Sequence, residues 1–199
     1  MMGVAREWLE LLMPLIIFAG LFLLRYVSQF VKAKRLKEIA PYINGEAVVW
    51  PFSAPRIKGT YMGVPYQMIF IPSGRNSPGR MQIKLGFPFP FGLEVRKAGA
   101  AQGLEQFFQR GKRIETGDEA FDASVDARAD REREKAGLYL DNPVNREAVL
   151  AVLGGGFEDV RFTEKELVLT RRGDFLKGDL NPEQALHDLA LASRLMQRL

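Results

Sequence analysis

Acidic residues recur at every fourth position from Asp118 to Asp130, a spacing that could bring several carboxylates together. On a helix, Asp118, Asp122, Asp126 and Asp130 would form one stripe able to bind a cation or exchange protons. The segment Ala120–Arg128 alternates apolar and polar residues, however, which indicates a half-buried strand. A strand would disperse the four side chains, and the D-x-[DN]-x-[DN]-G calcium loop is absent. We therefore expect a solvated acidic face and no metal site.

Other residue types that often support catalysis lack the partners they need. His187 is the single histidine and lies beside Asp188, but no G-x-S-x-G nucleophile motif accompanies it. The glycines at 154–156 follow a predicted helix, so they indicate its end and not a phosphate-binding loop. The absence of cysteine excludes disulfides, thiolate metal sites and cysteine nucleophiles. The sequence thus predicts no catalytic residues, no cofactor and a protein that is not an enzyme.

Two unusual runs suggest surface contacts. Arg128–Lys135 (RADREREK) mixes both signs of charge, which is typical of an exposed helical turn and argues against nucleic-acid binding. In Phe87-Pro88-Phe89-Pro90-Phe91 the prolines favour an extended path. The three rings either pack into the local core or leave one or two exposed as a docking tip for a partner or membrane. We assign Phe87, Phe89 and Phe91 as candidate docking residues.

The N-terminal residues predict a membrane anchor. Leu11–Leu24 is free of charge, and Trp8 to Val27 would form about 30 Å of helix, enough to cross the hydrocarbon core. A cleaved signal peptide is an alternative, but no small-residue cleavage site follows the apolar run. A buried core helix is the other alternative. Residues assigned to the span, including its aromatic belt, are Trp8, Leu11, Pro14, Leu24 and Tyr26.

Basic residues follow the predicted span and set its orientation. By the positive-inside rule, we expect the N-terminus outside and the remainder in the cytoplasm, at a bacterial inner membrane. The residues assigned to lipid headgroups are Arg25, Lys32, Lys34, Arg35 and Lys37. The lipid bilayer and other integral membrane subunits are therefore the predicted partners, without nucleic acid.

Charge is unevenly distributed along the 199 residues, whose net charge is +4. Residues 1–38 carry +3, residues 39–117 carry +6 and residues 118–199 carry −5. The basic part could face anionic lipid while the acidic part faces the cytosol or a partner. Equally, halves of a sequence need not form halves of a surface.

The remaining elements predict an α+β fold: one N-terminal transmembrane helix, then a β-rich antiparallel layer with two or three helices. Short alternating segments between residues 46 and 97 favour a meander of four or five strands, and Met-Gly-Val-Pro at 62–65 indicates a tight hairpin turn. Asn142-Pro143 and Asn181-Pro182 indicate two helix starts, with a strand pair around Thr163–Glu166 between them. We divide the chain into an anchor and juxtamembrane helix (1–38) and a cytoplasmic domain (39–199), with potential sub-lobes 39–99 and 112–199.

One stretch carries a family resemblance. Gly111–Ser124 (GKRIETGDEAFDAS) contains T-G-D-x-x-F-D at residues 116–122, followed by a charged segment, a helix, a hairpin and a last amphipathic helix. This order resembles bacterial membrane-anchored proteins of unknown function with an N-terminal span and a β-rich middle. The organisation alone also resembles a reaction-centre H-type subunit. Neither resemblance implies chemistry for any residue.

Three functions fit these features. We favour a single-span, membrane-anchored, non-catalytic accessory or scaffold subunit of a larger membrane complex. The alternative is a membrane-tethered domain that binds lipid or a small ligand. A membrane-bound hydrolase using scattered carboxylates is the third.

Overall fold

The computed structural model describes residues 34–50, 53–74, 77–99, 111–173, 175 and 180–196, together with Met13, Pro14, Ile17, Phe18 and Gly20. Within these ranges the chain forms nine strands. They are β1 (Gly45–Val48), β2 (Arg56–Tyr61), β3 (Val64–Ile71), β4 (Arg80–Leu85), β5 (Gly92–Lys97), β6 (Lys112–Arg113), β7 (Val125–Arg131), β8 (Asp159–Phe162) and β9 (Leu167–Arg172).

All nine strands join one antiparallel sheet in the order β1-β2-β3-β4-β9-β8-β5-β7-β6. The β8–β9 hairpin inserts between β4 and β5, which follow each other in the chain. Strands from both ranges proposed as sub-lobes, 39–99 and 112–199, therefore share this sheet. The predicted meander of four or five strands is only one part of a much wider sheet.

Between residues 34 and 196 the described ranges hold five α-helical segments. They are α1 (residues 34–39, followed by a 3-10 turn at Ala40–Ile43), α2 (Glu119–Ser124), α3 (Arg133–Asp141), α4 (Pro143–Gly154) and α5 (Pro182–Arg194). The two predicted asparagine caps are confirmed: Asn142 accepts from the N–H of Val144 at 3.0 Å, and Asn181 from the N–H of Gln184 at 2.7 Å. Each cap satisfies a backbone donor that the first helical turn leaves free.

The β2–β3 hairpin also forms as its sequence predicts. Its two-residue turn, Met62-Gly63, has φ values of 50° and 81°, the left-handed backbone that matches the twist of the flanking strands. Nearby, Gly45 and Gly59 are paired across β1 and β2. A Cβ at Gly59 would lie 2.7 Å from the ring of Tyr66, so glycine makes room for this buried tyrosine. The Tyr66 hydroxyl donates to the carbonyl of Ile43 at 2.8 Å.

The predicted strand at Ala120–Arg128 is wrong in its first half. Residues Glu119–Ser124 form α2, and β7 begins only at Val125. The carboxylate of Asp118 accepts from the N–H of Phe121 and caps the helix, so a local hydrogen bond overrides the alternating pattern. The charged run after it is divided: residues 128–131 belong to β7, and α3 starts at Arg133.

The structure corrects the predicted membrane topology. Among the described residues, no helix is long and apolar enough to cross a membrane. The two longest helices whose bounds are both described, α4 and α5, have 12 and 13 residues, fewer than the ~20 residues that a membrane span needs. The predictions of a transmembrane helix, a single-pass membrane protein and an inner-membrane location with a cytoplasmic domain are therefore corrected. Most of the proposed span Trp8–Val27 lies outside the described residues.

The hydrophobic core lies between one face of the sheet and the helices. Alternate residues of the strands are buried there, such as Met68 and Phe70 on β3 or Met81 and Ile83 on β4. Helices α3, α4 and α5 contribute residues such as Leu140, Val149 and Leu189 to the same cluster. The described helices thus cover one face of the sheet, and none of them packs on the other face.

Candidate interaction surface

The face of the sheet that points away from the core carries mainly polar and charged side chains. We call it the open face; it is formed by the strand residues that alternate with the buried ones. Most of them are half-buried or exposed. Its members include Arg56, Lys58, Gln67, Ile69, Ile71, Arg80, Gln82, Lys84, Glu94, Arg96, Arg113, Asp126, Arg128, Asp159, Arg161, Val168, Thr170 and Arg172.

The open face is large for a single layer of structure. Nine strands at about 4.8 Å spacing give a width of roughly 38 Å, and a six-residue strand is about 20 Å long. The resulting area, on the order of 700 Å² after allowance for the short strands, approaches the ~800 Å² that each partner buries in a standard protein interface.

Three neighbouring strands of this face carry an acidic residue two positions before an arginine. These pairs, which we call the charge checkerboard, are Glu94 and Arg96 on β5, Asp126 and Arg128 on β7, and Asp159 and Arg161 on β8. The antiparallel register sets each acid opposite an arginine of the next strand: Glu94 faces both Arg128 and Arg161, and Arg96 faces both Asp126 and Asp159. Opposite charges therefore alternate across the three strands.

Ion pairs connect the checkerboard on its β5–β8 side. The two carboxylate oxygens of Asp159 each pair with one arginine: Oδ1 lies 3.2 Å from Nε of Arg96, and Oδ2 lies 3.0 Å from Nε of Arg161. Glu94 contacts both arginines as well, with Nη2 of Arg161 at 3.3 Å. On β7, Arg128 pairs with Asp126 of its own strand at 3.0 Å. Cross-strand pairs of this kind contribute about 0.2–1 kcal/mol each.

Burial alters the titration of two checkerboard residues. Burial raises the pKa of Asp159 to about 6; Arg161 and Arg96 oppose this effect, and Glu94 adds to it. Burial alone would lower the pKa of Arg96, but the negative charges of Glu94 and Asp159 outweigh it and raise that pKa. Asp159 can therefore hold a proton near pH 6, while the paired arginines keep the group close to neutral overall.

The β2–β4 part of the open face has a different charge balance. Arg56, Lys58 and Arg80 make no ion pair with any described acidic residue, although Glu46 is the register neighbour of Lys58 on β1. Two isoleucines of β3 lie between them: Ile69 is paired with Arg56, and Ile71 with Arg80. We call Arg56, Lys58, Ile69, Ile71 and Arg80 the basic patch.

The predicted docking phenylalanines mostly face inward. Phe89 and Phe91 are each 2% exposed, and Phe87 is partly buried. Phe89 lies 4.9 Å from the ring of Phe162 and 6.4 Å from that of Tyr139, both edge-on. The alternating Pro88 and Pro90 are exposed, so the extended path directs prolines outward and rings inward.

The predicted headgroup residues are only partly described. Arg25 and Lys32, like the span residues Trp8, Leu11, Leu24 and Tyr26, lie outside the described residues; Pro14 is described and exposed. Lys34 and Lys37 are exposed on α1. Arg35 points to the fold instead, donating from Nη2 to the carbonyl of Leu180 at 3.0 Å.

The T-G-D-x-x-F-D segment forms a closed turn. The carboxylate of Asp122 accepts from the N–H of Thr116 at 3.0 Å, from its hydroxyl at 3.0 Å and from the N–H of Gly117 at 3.1 Å. Asp118 caps α2 and pairs with Arg146 of α4 at 3.2 Å. Phe121 is buried. Each conspicuous side chain of the motif therefore has a structural partner.

The other candidate residues are also accounted for. Asp188 is 0% exposed and bound by Arg171 and Gln184, while His187 is exposed. In the part of the chain that is described, no three His, Cys, Asp or Glu side chains come close enough to hold a metal ion. Asp118 and Asp122 lie on α2 or at its cap, and Asp126 and Asp130 on β7, so the four acids do not form a stripe.

Sequence reasoning missed the checkerboard and the basic patch. The acid-x-arginine spacing is visible in the sequence at 94–96, 126–128 and 159–161, but nothing local shows that these strands are adjacent. No protein-family model, curated protein or solved structure matches this chain.

Proposed function

We propose that this domain is a non-catalytic accessory or scaffold subunit that binds a partner protein through the open face of its sheet. The observation that supports the proposal is the size of that face. A sheet of nine strands with the described helices on one side leaves an area close to that of a standard interface.

The residue types on the open face fit a protein partner. Arginine is enriched in protein interfaces because its guanidinium combines a flat apolar surface with several donors. The face also carries aliphatic side chains, Ile69, Ile71 and Val168, among its polar ones. None of its described strand residues is aromatic. Sheets that bind single-stranded nucleic acid rely on aromatic side chains for base stacking, so a nucleic-acid partner fits less well.

The test uses the full chain as bait in cells of its source, with mild extraction and quantitative mass spectrometry. The probing variant is Ile69→Gln/Val168→Gln, which changes the open face without changing its charge. The matched control is Leu138→Gln/Leu186→Gln on the outer surfaces of α3 and α5, where both leucines are exposed. We expect a specific partner whose recovery falls about tenfold in the first variant and less than about twofold in the control.

Equal thermal stability of the two variants is the required check, because a partly unfolded bait also loses partners. Recovery that is unchanged in the open-face variant, or equally reduced in the control, contradicts the proposal.

A further inference from the structure

Most cations on the β5, β7, β8 and β9 part of the open face form ion pairs with described acidic residues, whereas those on β2 and the start of β4 do not. Within the checkerboard, three acidic residues accompany three arginines on adjacent strands. Lys84 and Arg172 are also neutralised, by Glu166 at 2.7 Å and by Glu158 at 2.7 Å. Among the described open-face cations that form no ion pair, Arg56, Lys58 and Arg80 lie together on β2–β4, and Arg113 lies apart from them on β6.

The basic patch has a simple geometry. Lys58 and Arg80 are exposed, and Arg56 is half-buried. Ile69 and Ile71 are two residues apart on β3, so they point to the same side, with Arg56 on the strand before and Arg80 on the strand after. The patch thus presents two half-buried aliphatic side chains flanked by three cations.

We infer that the partner docks an acidic surface onto the basic patch, with carboxylates against Arg56, Lys58 and Arg80 and apolar side chains against Ile69 and Ile71. This inference rests on the proposed function and adds the chemistry of the partner. Charge complementarity selects the occupant: an acidic protein is attracted, whereas a second copy docking through the same patch would bring like charges together.

Electrostatic complementarity of this kind acts mainly on the association rate and is screened by salt. A patch with three exposed or half-exposed cations should therefore give binding that weakens as ionic strength rises. An interface dominated by apolar contacts would change little under the same conditions.

The experiment measures fluorescence anisotropy with four probes. They are a 16-residue peptide alternating glutamate and leucine, its lysine–leucine counterpart, a 16-nucleotide oligothymidine, and vesicles of one part phosphatidylglycerol to three parts phosphatidylcholine. We expect the full chain to bind the acidic peptide most tightly, with affinity that falls about tenfold between about 50 and 300 mM NaCl.

Charge reversal locates the site. In Arg56→Glu/Lys58→Glu/Arg80→Glu, affinity for the acidic peptide should fall at least about tenfold. The control Lys34→Glu/Lys37→Glu/Arg194→Glu changes the net charge by the same amount at exposed positions on α1 and α5. Its affinity for the acidic peptide should fall less than about twofold. The double variant Lys58→Glu/Arg80→Glu, at exposed positions only, preserves the test if the triple variant does not fold.

Several results would overturn the inference: no binding of the acidic peptide, tighter binding of oligothymidine or vesicles, equal loss in both triple variants, or a mass that doubles with concentration in light scattering. Failure here is distinct from failure of the proposed function. If the neutral variant Ile69→Gln/Val168→Gln still loses its captured partner while charge reversal has no effect, the open face binds a protein of different chemistry.

Discussion

Arg171 of β9 and Asp188 of α5 form an ion pair that connects the sheet to the last helix. Nη1 of Arg171 lies 3.3 Å from Oδ1 of Asp188, whose side chain is fully buried. Gln184, one turn earlier on α5, donates to the same oxygen at 2.7 Å. Burial raises the pKa of Asp188, and Gln184 and Arg171 oppose that shift. The carboxylate therefore depends on two partners to remain charged inside the protein.

Removing one member of this pair should cost more than removing both. Arg171→Met leaves a buried carboxylate with Gln184 as its remaining partner, and we expect a loss of about 3 kcal/mol in the free energy of unfolding. Arg171→Met/Asp188→Leu removes the charge as well and should recover at least about 1 kcal/mol. Urea unfolding followed by circular dichroism gives both values. A double variant less stable than the single one would show that the pair itself stabilises the fold.

Asp122 should stabilise the turn formed by the T-G-D-x-x-F-D segment. Asp122→Ala removes every acceptor that closes the turn on Thr116 and Gly117, and we expect a loss of about 2 kcal/mol. Asp122→Asn retains one acceptor oxygen and should lose about half as much. Thermal unfolding of both variants against the wild type measures the difference. If Asp122→Ala leaves stability unchanged, the turn is held by other contacts.

Asp159 should make stability depend on pH in the acidic range. Its pKa rises from 3.8 to about 6 on folding, mainly because of burial. Between these values the folded protein holds a proton that the unfolded chain releases, so stability falls as pH rises from about 4 to 6 and changes little above. Relative to Asp159→Asn, the wild type should lose on the order of 2 kcal/mol between about pH 4 and 7.

Urea titrations of both proteins at several pH values across this range test that prediction. The quantity to compare is the difference in unfolding free energy at each pH, since other groups titrate in both proteins. A difference that stays constant would show that the arginines cancel the effect of burial on the pKa of Asp159, and a difference that increases with pH would show that they outweigh it.

The phenylalanine run should contribute unequally to stability. Phe89 is buried among Phe91, Phe162 and Tyr139, and Phe89→Ala should cost about 4 kcal/mol. Phe87 is partly exposed, so Phe87→Ala should lower the free energy of unfolding by about 1–2 kcal/mol. Guanidinium unfolding of the two variants provides the comparison. Equal losses would indicate that Phe87 has a larger share of the core than its exposure suggests.

The sequence predicted helix starts and turns best where a few neighbouring residues determine the backbone conformation. The asparagine caps at Asn142 and Asn181 and the Met62-Gly63 turn depend on hydrogen bonds and φ values within four residues. The same approach failed at Glu119–Ser124, where the alternation of Phe121, Ala123 and Val125 resembled a strand. There the carboxylate of Asp118 accepts from the N–H of Phe121, and this capping hydrogen bond stabilises a helix.

The sequence by itself determined the α+β class, the two capped helices and several hairpins, because these follow from patterns over short distances. Only the tertiary structure decided that β8 and β9 insert between β4 and β5. That insertion sets Glu94 beside Arg161, although 66 positions separate them. It also sets Arg80 opposite Arg172 of β9, so two like charges face each other. Which charges meet is a property of strand order, and strand order depends on contacts between distant parts of the chain.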